Sequence, residues 1–358
     1  MNTEPFLRRI TSRVEVGKIP VGGGTPVSIQ SMLNVRTADV SAALEQIRRL
    51  AAAGCDIVRL AVRDSADADA IAEIREKADI PLVADIHFDH RLALLAAKAG
   101  VDKLRINPGN IGSSQKVKEV ARAASERKIP IRVGVNAGSL PRDIANSDIL
   151  EPEKMVAAAE RELSVLEDAG FSAIVISLKS HRADSVIEAN RIFSAKYQYP
   201  LHLGVTEAGL PGAGSIRSAV GIGTLLMEGI GDTVRVSLTG DPVREVSAAR
   251  EILRACGLRK SGIELVSCPG CGRCRVNLES VAAQVEKKLP ETDIPLTVAV
   301  MGCEVNGPGE AKSADIGIAG GDGFFLLFEK GDPRGRISED NAVDRLIDEV
   351  EKLISESR

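Results

Sequence analysis

Between residue 27 and about residue 240 the chain repeats one unit eight times, and this rhythm limits the fold more than any other feature. A short β-rich run ends in polar residues, and an Ala/Leu/Glu/Arg-rich helical stretch follows. The runs are 27–31, 56–61, 81–86, 101–106, 130–135, 173–177, 201–205 and 232–238. Helical patterns such as Val40–Ala53, Arg91–Ala99 and Pro152–Ala169 separate them. Strands alternating with helices through Gly-bearing turns (A-A-G, A-K-A-G, E-D-A-G) are parallel βαβ units. Eight in succession predict a closed (β/α)8 barrel of the TIM type over residues 1–260, with an open doubly wound sheet as the competing arrangement. Residues 5–24, with G-K-I-P-V-G-G-G, are expected to form a hairpin plugging the barrel's bottom.

Working groups of such barrels sit at the C-terminal ends of the strands. Here those ends carry Gln30 and Ser31, Arg59 and Arg63, Asp85 and His87, then Arg105, Asn107 and Asn110. The later strands add Arg132 and Asn136, Ser177, Lys179 and Ser180, His202, Thr206 and Glu207, and finally Arg235, Ser237 and Thr239. A solvated rim would also be polar, but so many Arg, Asn, Ser and Lys residues at one end favour a site for phosphate, whose oxygens guanidinium forks bind in pairs. N-P-G-N at 107–110 is a tight turn that either points N–H groups inward or simply joins strand to helix. Asp85 and Glu207 stand among the cations as acid–base candidates or as orienters of Arg side chains. His87 shares Asp85's strand face and is a candidate donor to a phosphate or a leaving oxygen.

After a helix at 241–260 the hydrophobic pattern changes. A strand at 263–267, a cysteine loop, a helix at 278–289, a strand at 295–301 and a second cysteine loop follow. Strands at 314–318 and 323–329 and a helix from about 339 complete a small α+β domain over 261–358. Its loops carry Cys268, Cys271 and Cys303, with the carboxylate Glu310 after the last. Structural zinc sites usually close with four Cys or His ligands. Three thiolates and one harder, exchangeable oxygen ligand suit an iron–sulfur cluster that binds substrate. Cys274 completes C-x2-C-x2-C and competes with Glu310 as fourth ligand; a zinc staple and a disulfide are the rival readings. Cys55 and Cys256 lie in apolar strand and helix contexts and read as core thiols.

Composition removes several function classes. Only 3% of the residues are aromatic and none is Trp, which argues against stacking single-stranded nucleic acid. A formal charge of −4 supplies no global field for a polyanion. With no signal-like segment and no run of membrane-spanning length, the expected location is the cytoplasm, where six cysteines are metal ligands or buried thiols rather than disulfides.

The motifs C-P-x-C-G-R, M-G-C-x-V-N-G-P-G-E and G-I-G-D-T-V-R-V-S-L-T, together with the barrel, resemble the bacterial 4-hydroxy-3-methylbut-2-enyl diphosphate synthases of the non-mevalonate isoprenoid pathway. The likeness runs from about Arg13 to the C-terminus and is to the two-domain form. It implies a 4Fe–4S cluster on Cys268, Cys271, Cys303 and Glu310, and reductive ring opening and dehydration of 2-C-methyl-D-erythritol 2,4-cyclodiphosphate. Reduced flavodoxin or ferredoxin would supply the electrons. It also implies a substrate site lined by Arg59, Arg105, Asn107, Arg132, Asn136, Lys179, His202, Glu207, Arg235 and Ser237. Glu310, Glu207, Asp85 and His87 are then the candidates for catalytic roles. The chain departs from the family at Cys274, where a cysteine is unusual, and at Leu33, where Thr is common.

The eighth barrel helix runs antiparallel to the strands and returns the chain to the end away from the mouth. A homodimer in which each cluster domain covers the partner's mouth is the simplest way to join the two sites, with hinge motion at 257–262. Two rivals come from other classes. One is a zinc-stapled module binding a phosphorylated metabolite; the other is a redox sensor whose cluster only reports oxygen.

Overall fold

The computed structural model describes residues 6–107, 111, 113–259, 262–304, 309 and 311–357. Glu310, Asn110 and most of the N-P-G-N turn therefore lie outside the described residues, as do residue 5 of the expected hairpin and residues 260–261 of the expected hinge. The chain forms two compact units, 1–259 and 260–358.

The first unit opens with a hairpin, β1 (Val14–Val16) and β2 (Ile19–Val21). Eight parallel strands follow: β3 (Ser28–Met32), β4 (Ile57–Ala61), β5 (Leu82–Asp85), β6 (Lys103–Ile106), β7 (Ile131–Asn136), β8 (Ile174–Lys179), β9 (His202–Leu203) and β10 (Thr233–Val234). Helices α1 (Val40–Ala52), α2 (Ser65–Lys77), α3 (His90–Ala99) and α4 (Ser114–Arg127) connect the first strands. A short α5 (Arg142–Ala145), then α6 (Glu151–Glu167), α7 (Ala183–Lys196), α8 (Pro211–Met227) and α9 (Val243–Ala255) complete the series.

Strand order is sequential: β3 pairs with β10, and a parallel bridge between Ile176 and Leu201 joins β8 to β9. The sheet is therefore closed as a barrel, and the open doubly wound arrangement is ruled out because its strand order would reverse. β9 and β10 are shorter than the runs at 201–205 and 232–238. Beyond them Arg235 N still bonds Leu203 O at 2.9 Å, and Glu245 of α9 accepts the Leu238 N–H at 3.1 Å.

The first three barrel helices begin at a capping Asp. Asp39 accepts from Ala42 N, Asp64 from Asp67 N and Asp89 from Arg91 N. In α1 the buried residues Ala43, Leu44, Ile47 and Leu50 recur at helical spacing and face the strands. Outward strand residues such as Ile29, Leu60 and Leu104 meet them in one continuous apolar layer. Inside the barrel only the bottom is apolar, where Val14, Val16 and Val21 of the hairpin pack on Ile57, Val83 and Val175. Above that plug most inward side chains are polar, with Met32 the apolar exception at the mouth.

The second unit is a five-stranded sheet in the order β11 (Ile263–Ser267), β12 (Leu296–Met301), β13 (Ile316–Gly320), β14 (Phe324–Glu329) and β15 (Asp332–Ser338). α10 (Leu278–Lys288) and α11 (Ala342–Glu356) pack against it through Val285, Leu346 and Val350. β11, β12 and β13 are parallel and the last pairs antiparallel. β15 was not expected from the sequence, because Pro333 and Gly335 weaken any strand pattern. It is tolerated as an edge strand, with a register irregularity at Leu327/Phe328.

The plug gives a direct test. Ile57 is fully buried between hairpin and barrel. Ile57→Ala should cost about 3 kcal/mol in a urea unfolding experiment, as large-to-small changes in closed cores do.

Candidate active site

Asp85, at the end of β5 and 4% exposed, is the centre of the barrel mouth. Arg105 Nη1 donates to its Oδ1 at 3.1 Å, while Arg59 Nε and His87 Nε2 stand 3.6 and 3.5 Å from Oδ2. Arg105 Nη1 is also 3.1 Å from His87 Nε2. Burial alone would raise the Asp85 pKa. Arg59, then His87 and Arg105, outweigh that and hold the carboxyl well below the usual range. Asp85 therefore accepts hydrogen bonds as an anion and orients its neighbours. Arg59 also points Nε and Nη2 at Met32 Sδ, at 3.0 and 2.8 Å. Burial lowers its pKa to about 10, with Arg235 and Arg105 adding to the effect and Asp85 opposing it.

These groups and their neighbours line a cavity of about 240 Å³. Its walls are Met32, Arg59, Asp85, His87, Arg105, Arg132, Asn136, Ser177, Lys179, Thr206, Arg235 and Ser237. Arg105 and Arg132 are register partners on β6 and β7, so two guanidiniums enter side by side. Burial, and then repulsion from neighbouring arginines, pushes Arg132 and Lys179 well below their ordinary pKa values. Arg235 is neutralised from outside, where Glu245 takes its Nη2 at 3.0 Å and its Nε at 3.2 Å. Glu245 is itself fixed by Ser31 Oγ at 2.9 Å. Five cationic side chains thus face one cavity that contains a single carboxylate. That electrostatic arrangement suits a small ligand with two or more negative charges.

Of the residues expected at the site, Arg59, Asp85, His87, Arg105, Arg132, Asn136, Lys179, Arg235 and Ser237 share this cavity. Three others do not line it. Asn107 follows β6 and is half-buried, and His202 is fully buried below the cavity. Glu207 is exposed, in a left-handed conformation at φ 53°, which is uncommon for a non-glycine residue. Two other strand-end residues are engaged elsewhere. Arg63 bonds Asp67 through both N and Nε, and Ser180 bonds Glu151 at 2.8 Å. The sequence reading missed Met32 and Glu245. Met32 was detectable, since it follows Gln30 by two on the inward face of β3. Glu245 was not, because its role depends on barrel closure.

The cysteine loops follow adjacent parallel strands. Ser267 pairs with Val300, so Cys268 emerges beside the chain leading to Cys303. Gly302 N donates to Cys268 Sγ at 3.2 Å, and Arg275 N to Gly302 O at 2.9 Å. Cys274 Sγ donates to Val276 O at 3.2 Å, and a Cβ added at Gly302 would stand 2.7 Å from that sulfur. Among the described residues no group of three or more His, Cys, Asp and Glu side chains is gathered to hold a metal ion. The donor chemistry still fits a cluster: the Cys268 sulfur already accepts a backbone N–H, and Cys268, Cys271 and Cys303 are at least partly exposed on loops at one end of the sheet. Cys55 and Cys256 are buried core thiols, and burial pushes Cys55 up to about 12.

Gly134 makes room for Arg105, since a Cβ there would lie 2.7 Å from Arg105 Nε and 3.0 Å from Nη2. Gly134→Ala should displace the guanidinium while leaving the fold intact, because the atom that must move is the end of a side chain. Affinity for inorganic diphosphate should fall roughly tenfold, or about 1.4 kcal/mol. Titration calorimetry alongside circular dichroism checks both halves of that statement.

The barrel unit matches the family described as GcpE TIM-barrel domain over residues 11–250, and the second unit matches the GcpE protein C-terminal domain over 264–352. A curated relative from Caldanaerobacter subterraneus subsp. tengcongensis is 52% identical over 98% of this chain and 99% of its own length. One from Geobacter sulfurreducens is 53% identical over 97% and 98%. Both are named 4-hydroxy-3-methylbut-2-en-1-yl diphosphate synthase (flavodoxin). Among solved structures, Yersinia pestis dihydropteroate synthase aligns with a TM-score of 0.51 at 12% identity, covering 68% of this chain and 98% of that one, a likeness of fold alone. With both units matched and half of all residues shared along nearly the whole chain, the protein belongs to the GcpE family of 4-hydroxy-3-methylbut-2-en-1-yl diphosphate synthases.

Proposed function

We propose that the chain converts 2-C-methyl-D-erythritol 2,4-cyclodiphosphate into 4-hydroxy-3-methylbut-2-enyl diphosphate in cytoplasmic isoprenoid precursor synthesis. The balanced reaction adds two electrons and two protons, opens the ring at a carbon–oxygen bond and releases one water. The observation that carries this reading is the mouth cavity, where five cationic side chains surround Asp85. The names of the relatives point the same way.

In this reading the barrel, residues 1–260, binds substrate and residues 261–358 carry a 4Fe–4S cluster. Arg59, Arg105, Arg132, Lys179 and Arg235 neutralise the diphosphate and stabilise the phosphate oxygen that leaves as the ring opens. Asn136, Ser177 and Ser237 hold the ring in one orientation, with Asn107 and His202 as supporting residues. Asp85 keeps Arg59 and Arg105 aimed at the ligand. His87, half exposed and within 3.5 Å of Asp85, is positioned to give a proton to a departing oxygen. Glu207 is the second acid, on a strand-end loop that can approach once substrate is seated.

Cys268, Cys271, Cys303 and Glu310 would hold the cluster. When bound it supplies electrons singly and an iron whose carboxylate ligand can be exchanged. Cys274, bonded to Val276 O, is a bystander in this reading. Flavodoxin is the electron donor favoured by the relatives' names, with ferredoxin as the alternative.

The chain leaves the barrel at the end opposite the cavity. Arg259 pairs at 3.5 Å with Asp56, which directly precedes β4. A two-fold homodimer, in which one copy's cluster domain serves its partner's barrel, is therefore part of the proposal.

Protein purified without oxygen should contain about four iron and four sulfide per chain and little zinc. One zinc without sulfide would overturn the mechanism in favour of a phosphate-binding barrel with a structural metal. Glu310→Ala should keep most of the iron yet lose turnover, and a fully active variant would remove the exchangeable ligand. Sedimentation velocity should find the active species dimeric; an active monomer would end the dimer proposal.

A further inference from the structure

Below the cavity lies a second inward-facing layer, and its lysine, Lys103, has no part in the proposed reaction. Lys103 begins β6 and His202 begins β9, and both are fully buried without lining the cavity. Lys103 Nζ, both ring nitrogens of His202, and Arg132 Nε and Nη1 have no hydrogen-bond partner among the described residues. The same is true of the Gln30 amide, Ser28 Oγ and Thr233 Oγ1. Thr233 is the register partner of both His202 and Ser28, so β9, β10 and β3 present these groups side by side.

The charges around this layer are nearly all of one sign. Lys103 faces Arg132 from β7 and Arg59 from β4. His202 faces Lys179 from β8, with Arg132, Lys103 and Arg59. A Cβ at Gly204, two residues after His202, would lie 2.6 Å from Lys179 Nζ. Arg105 and Arg235 bear on Lys179 from above, while Asp85 from β5 is the opposing carboxylate and Glu245 is already bound to Arg235. A closed interior cannot hold so many like charges unless one of them gives up its proton. Guanidinium groups keep theirs, whereas lysine amines release theirs readily when buried. The groups able to yield are Lys103, Lys179 and His202. Of these, Lys179 reaches the cavity and would meet a ligand directly. Lys103 would feel the ligand only as a charge placed above it.

We propose that Lys103 is the proton store of this site: it stands neutral in the free protein and takes a proton from solution when an anionic diphosphate enters the cavity, so that binding and proton uptake are one event. The proposal rests on the reading that the cavity accepts the cyclic diphosphate. It makes Lys103 a positioning residue that sets the charge beneath the ligand without touching it. By linkage, affinity should weaken as pH rises from neutrality, by up to about tenfold per pH unit for each proton taken up.

The test is calorimetric titration of the anaerobic, cluster-loaded full chain with 2-C-methyl-D-erythritol 2,4-cyclodiphosphate, without an electron donor so that no turnover occurs. Repeating it in buffers of different ionisation enthalpy counts the protons. Each phosphorus of this ligand carries one strongly acidic oxygen, so the ligand itself contributes none near neutral pH. The wild type should take up about one proton or more. Lys103→Met should bind with uptake smaller by at least about half a proton and with a flatter pH dependence. Binding without uptake in the wild type overturns the proposal, as does unchanged uptake in Lys103→Met. Absence of binding in the wild type overturns the functional reading, and this proposal with it. Should Lys103→Met not fold, Lys103→Arg serves in its place, because a guanidinium that never releases its proton must show the same reduction.

Discussion

Several guanidiniums can share the inside of this barrel because a carboxylate stands among them. Asp85 is nearly inaccessible, yet it stays ionised through Arg59, His87 and Arg105. Without it, Arg59 and Arg105 would have no anionic partner at the mouth and would compete for the same space. A second carboxylate, Glu245, does the corresponding work for Arg235 from the helix layer and holds Ser31 and the Leu238 N–H as well. The mouth therefore holds two anchored arginine groups, and Arg132 and Lys179 line the same cavity beside them. An excess of basic side chains over carboxylates is thus built into the barrel mouth.

Much of the barrel was legible in the sequence because each strand states two things at once. Its outward residues are aliphatic and match the helix faces, while its inward residues end in charged or amide side chains. Arg59, Asp85, Arg105, Arg132 and Lys179 could be assigned to one mouth from strand position alone, and they do share one cavity. Period two does not give depth, however. His202 and Arg235 belong to neighbouring strands and both point inward, but only Arg235 reaches the cavity. Glu245 was hidden for a different reason. It lies ten residues from Arg235 and 214 from Ser31, and only ring closure makes the two its common partners.

The second unit shows where spacing runs out as evidence. C-x2-C-x2-C suggests three equivalent ligands, yet the backbone treats them differently. Cys268 receives the Gly302 N–H, whereas Cys274 turns its thiol toward Val276 O and packs on Gly302. The parallel register of β11 and β12 links residues more than thirty positions apart in a way no local motif encodes. The edge strand β15 escaped detection because an edge tolerates the proline and glycine that a central strand would reject.

The segment around the plug also ties the start of the barrel to its end. Arg9 N bonds Gly229 O, Ser12 N bonds Gln198 O, and Arg8 reaches Gly231 O across 223 positions. Thr11 meets Asp232, which in turn takes the Leu201 N–H. During synthesis the segment before the hairpin therefore emerges long before the residues that tie it down. An unfinished barrel must leave the flank of its plug untied until the eighth strand arrives. Closure of the ring and anchoring of its plug are then a single late, long-range event, and a nascent chain stalled before residue 230 would expose the surface most prone to aggregate.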